Sequence, residues 1–89
     1  MSTRQVFYEG RVQGVGFRFT AADVARSRGL AGWIHNRGDG TVEAVFEGDA
    51  DAVDAMVHWC ERGPRGAEVE RIETFDEQPE DLRSFEIRG

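Results

Sequence analysis

Residues 13–18, QGVGFR, have the composition of an anion-binding loop. Glycines at 14 and 16 permit positive φ angles, so successive backbone N–H groups can turn toward one point. A helix that begins after the loop would add the partial positive charge of its N-terminus, and Arg18 could donate two parallel hydrogen bonds to a phosphate. The segment lacks both the Gly-Lys-Ser/Thr ending and the third glycine of the nucleotide-binding loops. From composition alone, a tight strand-to-helix turn with an exposed arginine remains the alternative.

The elements around this loop follow from hydrophobic spacing. Residues 4–12 alternate as a strand with one buried face, and Gly10 interrupts the alternation where a bulge or a close backbone approach is expected. Apolar residues at helical spacing predict a helix over residues 17–28, with Gly29 as the residue after its C-terminus. The loop is therefore expected to join a strand to the start of a helix.

A hairpin and a second helix follow. Residues 32–36 and 41–47 are predicted strands, because they flank Arg37-Gly38-Asp39-Gly40, whose Asp-Gly pair is typical of a hairpin turn. Residues 49–62 are a predicted helix that ends at Gly63-Pro64. Its buried stripe has i, i+3, i+4 and i+7 spacing and consists of Val53, Met56, Val57 and Cys60.

The last third of the chain predicts strands within residues 68–76 and 84–88. Val69, Ile72 and Phe75 do not share one alternating phase, which indicates a bulge or a misplaced boundary. The order is interpreted as β-α-β-β-α-β, an α+β fold of the ferredoxin-like type. We therefore expect residues 1–89 to form a single domain with a four-stranded antiparallel sheet and two helices on one face.

Two stretches resemble the signatures of a known family. Residues 10–18, GRVQGVGFR, resemble the first signature of the acylphosphatases, and residues 32–36, GWIHN, continued through Gly40, Val42 and Gly48, resemble the second. The two occur in the family's order, and the resemblance covers nearly the whole chain. It implies the ferredoxin-like fold that the hydrophobic spacing also predicts.

The resemblance implies a metal-free and cofactor-free hydrolase of small acyl phosphates. By position, Arg18 would bind the substrate phosphate together with the loop amides of Gly14, Val15, Gly16 and Phe17. Asn36 would orient the attacking water, whereas composition alone would make it a hairpin turn residue. Three positions depart from the family pattern: Ile34 replaces a smaller aliphatic residue, His35 replaces Arg, Lys or Gln, and Gly38 replaces a frequent proline. The extra methylene of Ile34 could shift packing near Asn36.

Other side chains with chemical potential have simpler interpretations. His35 and His58 are poorly accompanied as metal ligands. The carboxylates at 49, 51 and 54 lack the glycine and terminal glutamate of a calcium loop, so they are expected to cap a helix start. Cys60 lies in a buried helical stripe without an activating partner and is expected to belong to the core.

The charge balance limits the partners. Seventeen acidic residues face eleven basic ones, all arginine, for a net charge of −6. A basic surface is usual for nucleic-acid binding, so no nucleic-acid partner is expected. An RNA-recognition module on the same fold is the second hypothesis, but only Phe7 and Val45 are expected on the outer face of the central strands. Acid excess with arginine in place of every lysine is typical of a salt-adapted or a high-GC proteome, and our hypothesis is a halophilic source.

The remaining expectations concern location and assembly. One cysteine, no signal-peptide-like segment and no long apolar run favour a cytoplasmic protein without a membrane partner. We expect a monomer. A third hypothesis is an acylphosphatase-like accessory domain of larger carbamoyl-transfer proteins, and the chain's end at Gly89 without a linker favours a free-standing enzyme over it.

Overall fold

The structure is a computed structural model that describes residues 1–88. Two helices and five strands alternate along the chain in the order β1 (Ser2–Arg11), α1 (Phe17–Ser27), β2 (Ala31–Asn36), β3 (Val42–Gly48), α2 (Ala50–Arg62), β4 (Glu68–Glu77) and β5 (Phe85–Arg88). Each element coincides with a predicted one to within about two residues, the usual uncertainty of element ends. No helix within the described range is long and apolar enough to cross a membrane.

The strands form one mixed sheet in the order β4-β1-β3-β2-β5. The first four of these strands pair antiparallel, as predicted, whereas β5 pairs parallel with β2. The prediction of a four-stranded, purely antiparallel sheet is therefore wrong, because all five predicted strand segments belong to the sheet, one more than the β-α-β-β-α-β order contains. After β4 at one edge, the chain returns to the opposite edge, where β5 occupies the free side of β2. The Phe85 ring stacks on Phe46 at a centroid distance of 5.5 Å, which holds β5 against the core.

One face of the sheet carries the core. Strand residues of this inward face and the apolar stripes of both helices form one cluster of buried side chains. The α2 stripe is confirmed in full, because Val53, Met56, Val57 and Cys60 are all buried. Both helices therefore cover the inward face.

The opposite, outward face is partly open. Trp33 pairs across the strands with Val45, which in turn pairs with Gln5. Phe7 and Phe75 meet edge to face there, with ring centroids 6.0 Å apart. Trp33, on the interior strand β2, therefore lies on the outward face in addition to the predicted Phe7 and Val45.

A bulge in β4 explains the broken alternation of that strand. Glu9 pairs with Arg71 while Gly10 pairs with Val69, so Glu70 is the extra residue. Gly10 has φ 126°, and a Cβ there would lie 2.2 Å from the backbone oxygen of Glu68. Only glycine fits at this crossing, as its place in the strand predicted.

Glu47 holds the connection between β4 and β5. Its carboxylate is buried and accepts hydrogen bonds from the Thr3 hydroxyl at 2.7 Å and from the backbone N–H groups of Glu80 at 2.6 Å and Leu82 at 2.7 Å. Burial by itself would raise the pKa of Glu47, but these hydrogen bonds outweigh it, and the pKa lies below its usual value of 4.5. The charged form of Glu47 therefore stabilises the path of the chain toward β5.

We expect Glu47→Gln to lower the free energy of unfolding by about 1–3 kcal/mol at neutral pH, because one hydrogen-bond acceptor becomes a donor that faces another donor. The folded-state pKa of Glu47 is lowered, so its stabilisation is present above the unfolded-state value and is lost as the pH falls through the folded-state value. The difference between variant and wild type should therefore shrink below pH 4.5. Urea denaturation at neutral and acidic pH measures it. Glu77→Gln, at an exposed position of β4, is the control; equal losses in both variants would contradict a specific role of Glu47.

Candidate active site

The loop between β1 and α1 is anchored at both ends. Val12 and Phe17 are each 1 % exposed, and the Phe17 ring lies 5.3 Å from the Tyr8 ring in the core. Gly14 and Gly16 between them have φ angles of 75° and 74°. A Cβ at either glycine would meet nothing within 4 Å, so the loop needs glycine for its left-handed backbone and not for space.

Helix α1 begins at this loop without a side-chain cap. Gly16 is the N-cap residue, and the first turn contains no acidic residue. The first N–H groups of a helix have no partner within the helix and carry partial positive charge. The start of α1 therefore offers donors to an anion, with no carboxylate of its own first turn to compete.

Arg18 points its charge toward this region without an ionic partner. Its Nη1 donates to the backbone oxygen of Arg88 at a long 3.4 Å, and its guanidinium lies 5.8 Å from the centroid of the Phe19 ring. None of the ion pairs formed among residues 1–88 includes Arg18. Within the described part of the chain, no carboxylate therefore competes with an anionic ligand for this guanidinium.

Asn36 approaches the loop from the hairpin. It is the last residue of β2, it pairs with Val42, and it shares the inward face with the fully buried Ile34. Its Oδ1 is buried and has no hydrogen-bond partner among the described residues. An unsatisfied buried acceptor costs about 1–3 kcal/mol, so it indicates a donor supplied by water or a ligand.

Loop, arginine and asparagine meet in one small cavity of about 120 Å³. One water needs only ~15 Å³ of such space, so the cavity can hold more than one small group. Its lining consists of Val12, Gly14, Gly16, Phe17, Arg18, Phe19 and Asn36.

Most of the predicted site residues are therefore brought together. Val15 is the exception, because its side chain is half-buried against the core and does not line the cavity. Only the backbone of Val15 could take part. Val12 and Phe19 are lining residues that were not predicted. Phe19 is 63 % exposed. Its position off the apolar stripe of α1 is the one feature of the sequence that could have indicated a role outside the core.

A larger depression of about 670 Å³ lies beside the last turn of α2, around His58, Trp59 and Arg62. His58 pairs there with Glu61 at 3.1 Å, an exposed contact within one helix turn. This depression holds neither an unpartnered buried polar atom nor a glycine loop. The smaller cavity is therefore the better candidate for the active site, because its lining includes the glycine loop, Arg18 and Asn36.

The other candidate groups have structural surroundings. His35 lies on the outward face and pairs with Glu43 at 2.8 Å, away from the cavity. No group of three potential metal-ligating side chains occurs in the part of the chain that the structure describes. Cys60 is buried beside Tyr8, and burial raises the pKa of its thiol to about 12, so it is not a thiolate nucleophile.

Comparisons with known proteins show which family the chain belongs to. The acylphosphatase family model matches residues 4–87. An acylphosphatase of Trichormus variabilis is 53 % identical over 83 residues, which cover 93 % of this chain and 82 % of the relative. The crystal structure of acylphosphatase from Bacillus subtilis superposes with a TM-score of 0.97 at 36 % identity and full coverage of both chains. HypF of T. kodakarensis matches the whole chain with a TM-score of 0.88 at 30 % identity, but only 12 % of its own length is covered. The chain belongs to the acylphosphatase family.

Proposed function

We propose that the protein hydrolyses the carboxyl–phosphate bond of small acyl phosphates at the cavity between the β1–α1 loop and Asn36. One observation carries the proposal: Asn36 and Arg18 line the same cavity at the start of α1. Among residues 1–88, the Oδ1 of Asn36 has no hydrogen-bond partner and the guanidinium of Arg18 has no carboxylate partner. Family membership supports the same activity.

The phosphoryl group would bind to the loop. The left-handed backbone at Gly14 and Gly16 would turn the N–H groups of residues 14–17 toward one point, and the dipole of α1 favours negative charge there. Arg18 would donate a second set of hydrogen bonds to the phosphoryl oxygens. These donors stabilise the charge that spreads over those oxygens during phosphoryl transfer.

Water would then attack phosphorus opposite the acyl oxygen. The new bond joins the water oxygen to phosphorus, and the bond between phosphorus and the acyl oxygen breaks with its electron pair remaining on the carboxylate. A carboxylate is a weak base and leaves without prior protonation, while the proton of the water is released with the phosphate product. No general acid is needed, which agrees with a cavity lining that contains no His, Asp, Glu or Cys.

Asn36 would orient the attacking water. Its Oδ1 accepts a hydrogen bond from that water, so the buried acceptor gains its partner when substrate and water are bound. Holding nucleophile and phosphorus in line lowers the barrier through orientation, without proton transfer to a side chain. The role of Asn36 is thus positional, whereas Arg18 acts on charge.

Hydrolysis of benzoyl phosphate and acetyl phosphate by the purified protein, with inorganic phosphate as competing inhibitor, tests the proposal. Measurable turnover with competitive inhibition supports it. A protein that binds phosphate but turns over neither substrate would instead be a non-catalytic or accessory acylphosphatase-like domain. The match to a short part of the much longer HypF is the reason to test this alternative.

We further propose that residues 1–89 work as one domain and as a monomer in a reducing cytoplasm. The lone cysteine is buried at 0 % exposure, which suits a protein that relies on no disulfide.

The acidic surface predicts a response to salt. Residues 68–81 contain seven acidic side chains and a single basic one, Arg71. Most of these acidic side chains lie on the edge strand β4. Added salt shortens the Debye length from about 10 Å at 0.1 M to about 3 Å at 1 M and so weakens their mutual repulsion. We expect the thermal midpoint to rise between about 0.1 and 1 M KCl. Thermal unfolding followed by circular dichroism measures this, and a steady fall over the same range would contradict a salt-adapted protein.

A further inference from the structure

Gln13 joins the two halves of the site. It is the last residue before Gly14, and its side-chain Nε2 donates to the backbone oxygens of Arg37 at 2.9 Å and Thr41 at 3.0 Å. A carboxamide NH₂ group has two hydrogens, so these two acceptors use both. The side chain therefore spans from the phosphate loop to the β2–β3 hairpin.

The two acceptors lie at the neck of that hairpin. Arg37 N–H donates to the Thr41 oxygen at 2.8 Å, so residues 37 and 41 face each other across the neck. Arg37 directly follows Asn36 in the chain. Fixing the Arg37 carbonyl relative to the loop therefore restricts the position of Asn36 relative to the loop.

No other hydrogen bond between residues 13–18 and 37–41 occurs in the described part of the chain. The tip of the hairpin is braced separately, because Asp39 Oδ1 accepts from the Thr41 N–H at 3.0 Å and from the Thr41 hydroxyl at 2.6 Å. The hairpin thus has its own internal support, and Gln13 supplies its polar link to the loop.

We propose that Gln13 is a positioning residue that sets the placement of Asn36 against the phosphate loop. The inference rests on the hydrolysis proposed above. Displacement of a reacting group by about 1 Å can cost 10²-fold in rate. The loop's own donors depend on Gly14, Gly16 and the start of α1, so loss of the Gln13 contacts should affect turnover more than phosphate affinity.

Two substitutions of nearly the same length test this. Gln13→Met removes both donors, and Gln13→Glu places a carboxylate against two carbonyl oxygens. With benzoyl phosphate, we expect each variant to lose at least about tenfold in kcat while the inhibition constant of inorganic phosphate changes by less than about threefold. Gln78→Met is the matched control, since it makes the same substitution at an exposed position outside the loop and the hairpin; its kcat should stay within about twofold of wild type.

A double-mutant cycle shows whether Gln13 acts through Asn36. In an Asn36→Ala background, Gln13→Met should lower kcat by less than about twofold, because the group that it positions is absent. An undiminished loss in that background, a wild-type kcat in Gln13→Met, or an equal loss in Gln78→Met would each overturn the inference. Inactivity of the wild-type protein toward benzoyl phosphate and acetyl phosphate would overturn the proposed function itself, so the two failures are distinguishable.

Discussion

Replacing Arg18 with glutamine should lower kcat/KM for benzoyl phosphate by about 10³-fold or more and weaken inhibition by inorganic phosphate at least tenfold. Arg18 is the one charged side chain that lines the cavity. Its 3.4 Å contact with the Arg88 oxygen is long, so little is lost when the guanidinium turns to a phosphate. The substitution should therefore affect both ground-state binding and the transition state, in which phosphoryl charge is redistributed.

Two variants separate the local from the global effect of this charge. Arg65→Gln changes the net charge equally at an exposed position outside the cavity, and it should leave kcat/KM within about twofold of wild type. Arg18→Lys keeps the charge and loses the planar pair of donors, so an intermediate rate is expected. If Arg18→Gln and Arg65→Gln lowered kcat/KM equally, the overall electrostatic field of the protein would explain the loss, and direct contact of Arg18 with phosphate would not.

Asn36→Ala should lower kcat by about 10²- to 10³-fold and change the inhibition constant of phosphate by less than about threefold. Asn36 contributes an acceptor, and a phosphate anion needs donors, so its removal spares phosphate binding. Full activity in this variant would refute the proposed placement of the water.

Stability provides an independent signature of the same residue. The Oδ1 of Asn36 is buried without a partner among residues 1–88, and such a group costs about 1–3 kcal/mol in the folded state. Asn36→Ala should therefore leave the thermal midpoint unchanged or raise it while activity falls, because residues that serve catalysis often lower the stability of the folded state. A large drop in thermal midpoint would instead mean that Asn36 is a structural residue.

The local elements could be predicted because their causes are local. The stripe from Val53 to Cys60 repeats with the helical period, and such a stripe has only one way to bury its apolar side chains. Gly10 marked the bulge crossing for a similar reason, since a residue without Cβ fits where two backbones come within contact distance. Both predictions depend on neighbours in the chain and are confirmed.

The fifth strand shows where local reasoning fails. Residues 84–88 were predicted as a strand, yet their partner could not be derived from their own pattern. Pairing with β2 depends on the stack of Phe85 on Phe46 and on Glu47, which holds the preceding connection through two backbone N–H groups. These contacts join residues more than 30 positions apart, and periodicity within a segment carries no information about them.

By itself, the sequence determined the order of helices and strands, the glycine loop that precedes α1, and the resemblance that singled out Arg18 and Asn36. Tertiary structure alone decided that Asn36 lines the same cavity as Arg18, and that its Oδ1 has no partner among residues 1–88. It also decided that Val15 packs against the core outside the cavity lining, and that Gln13 spans the gap between loop and hairpin. The physical reason is that residue type and spacing govern backbone conformation over a few residues, whereas the distance between two side chains depends on how the sheet and helices pack around the whole core.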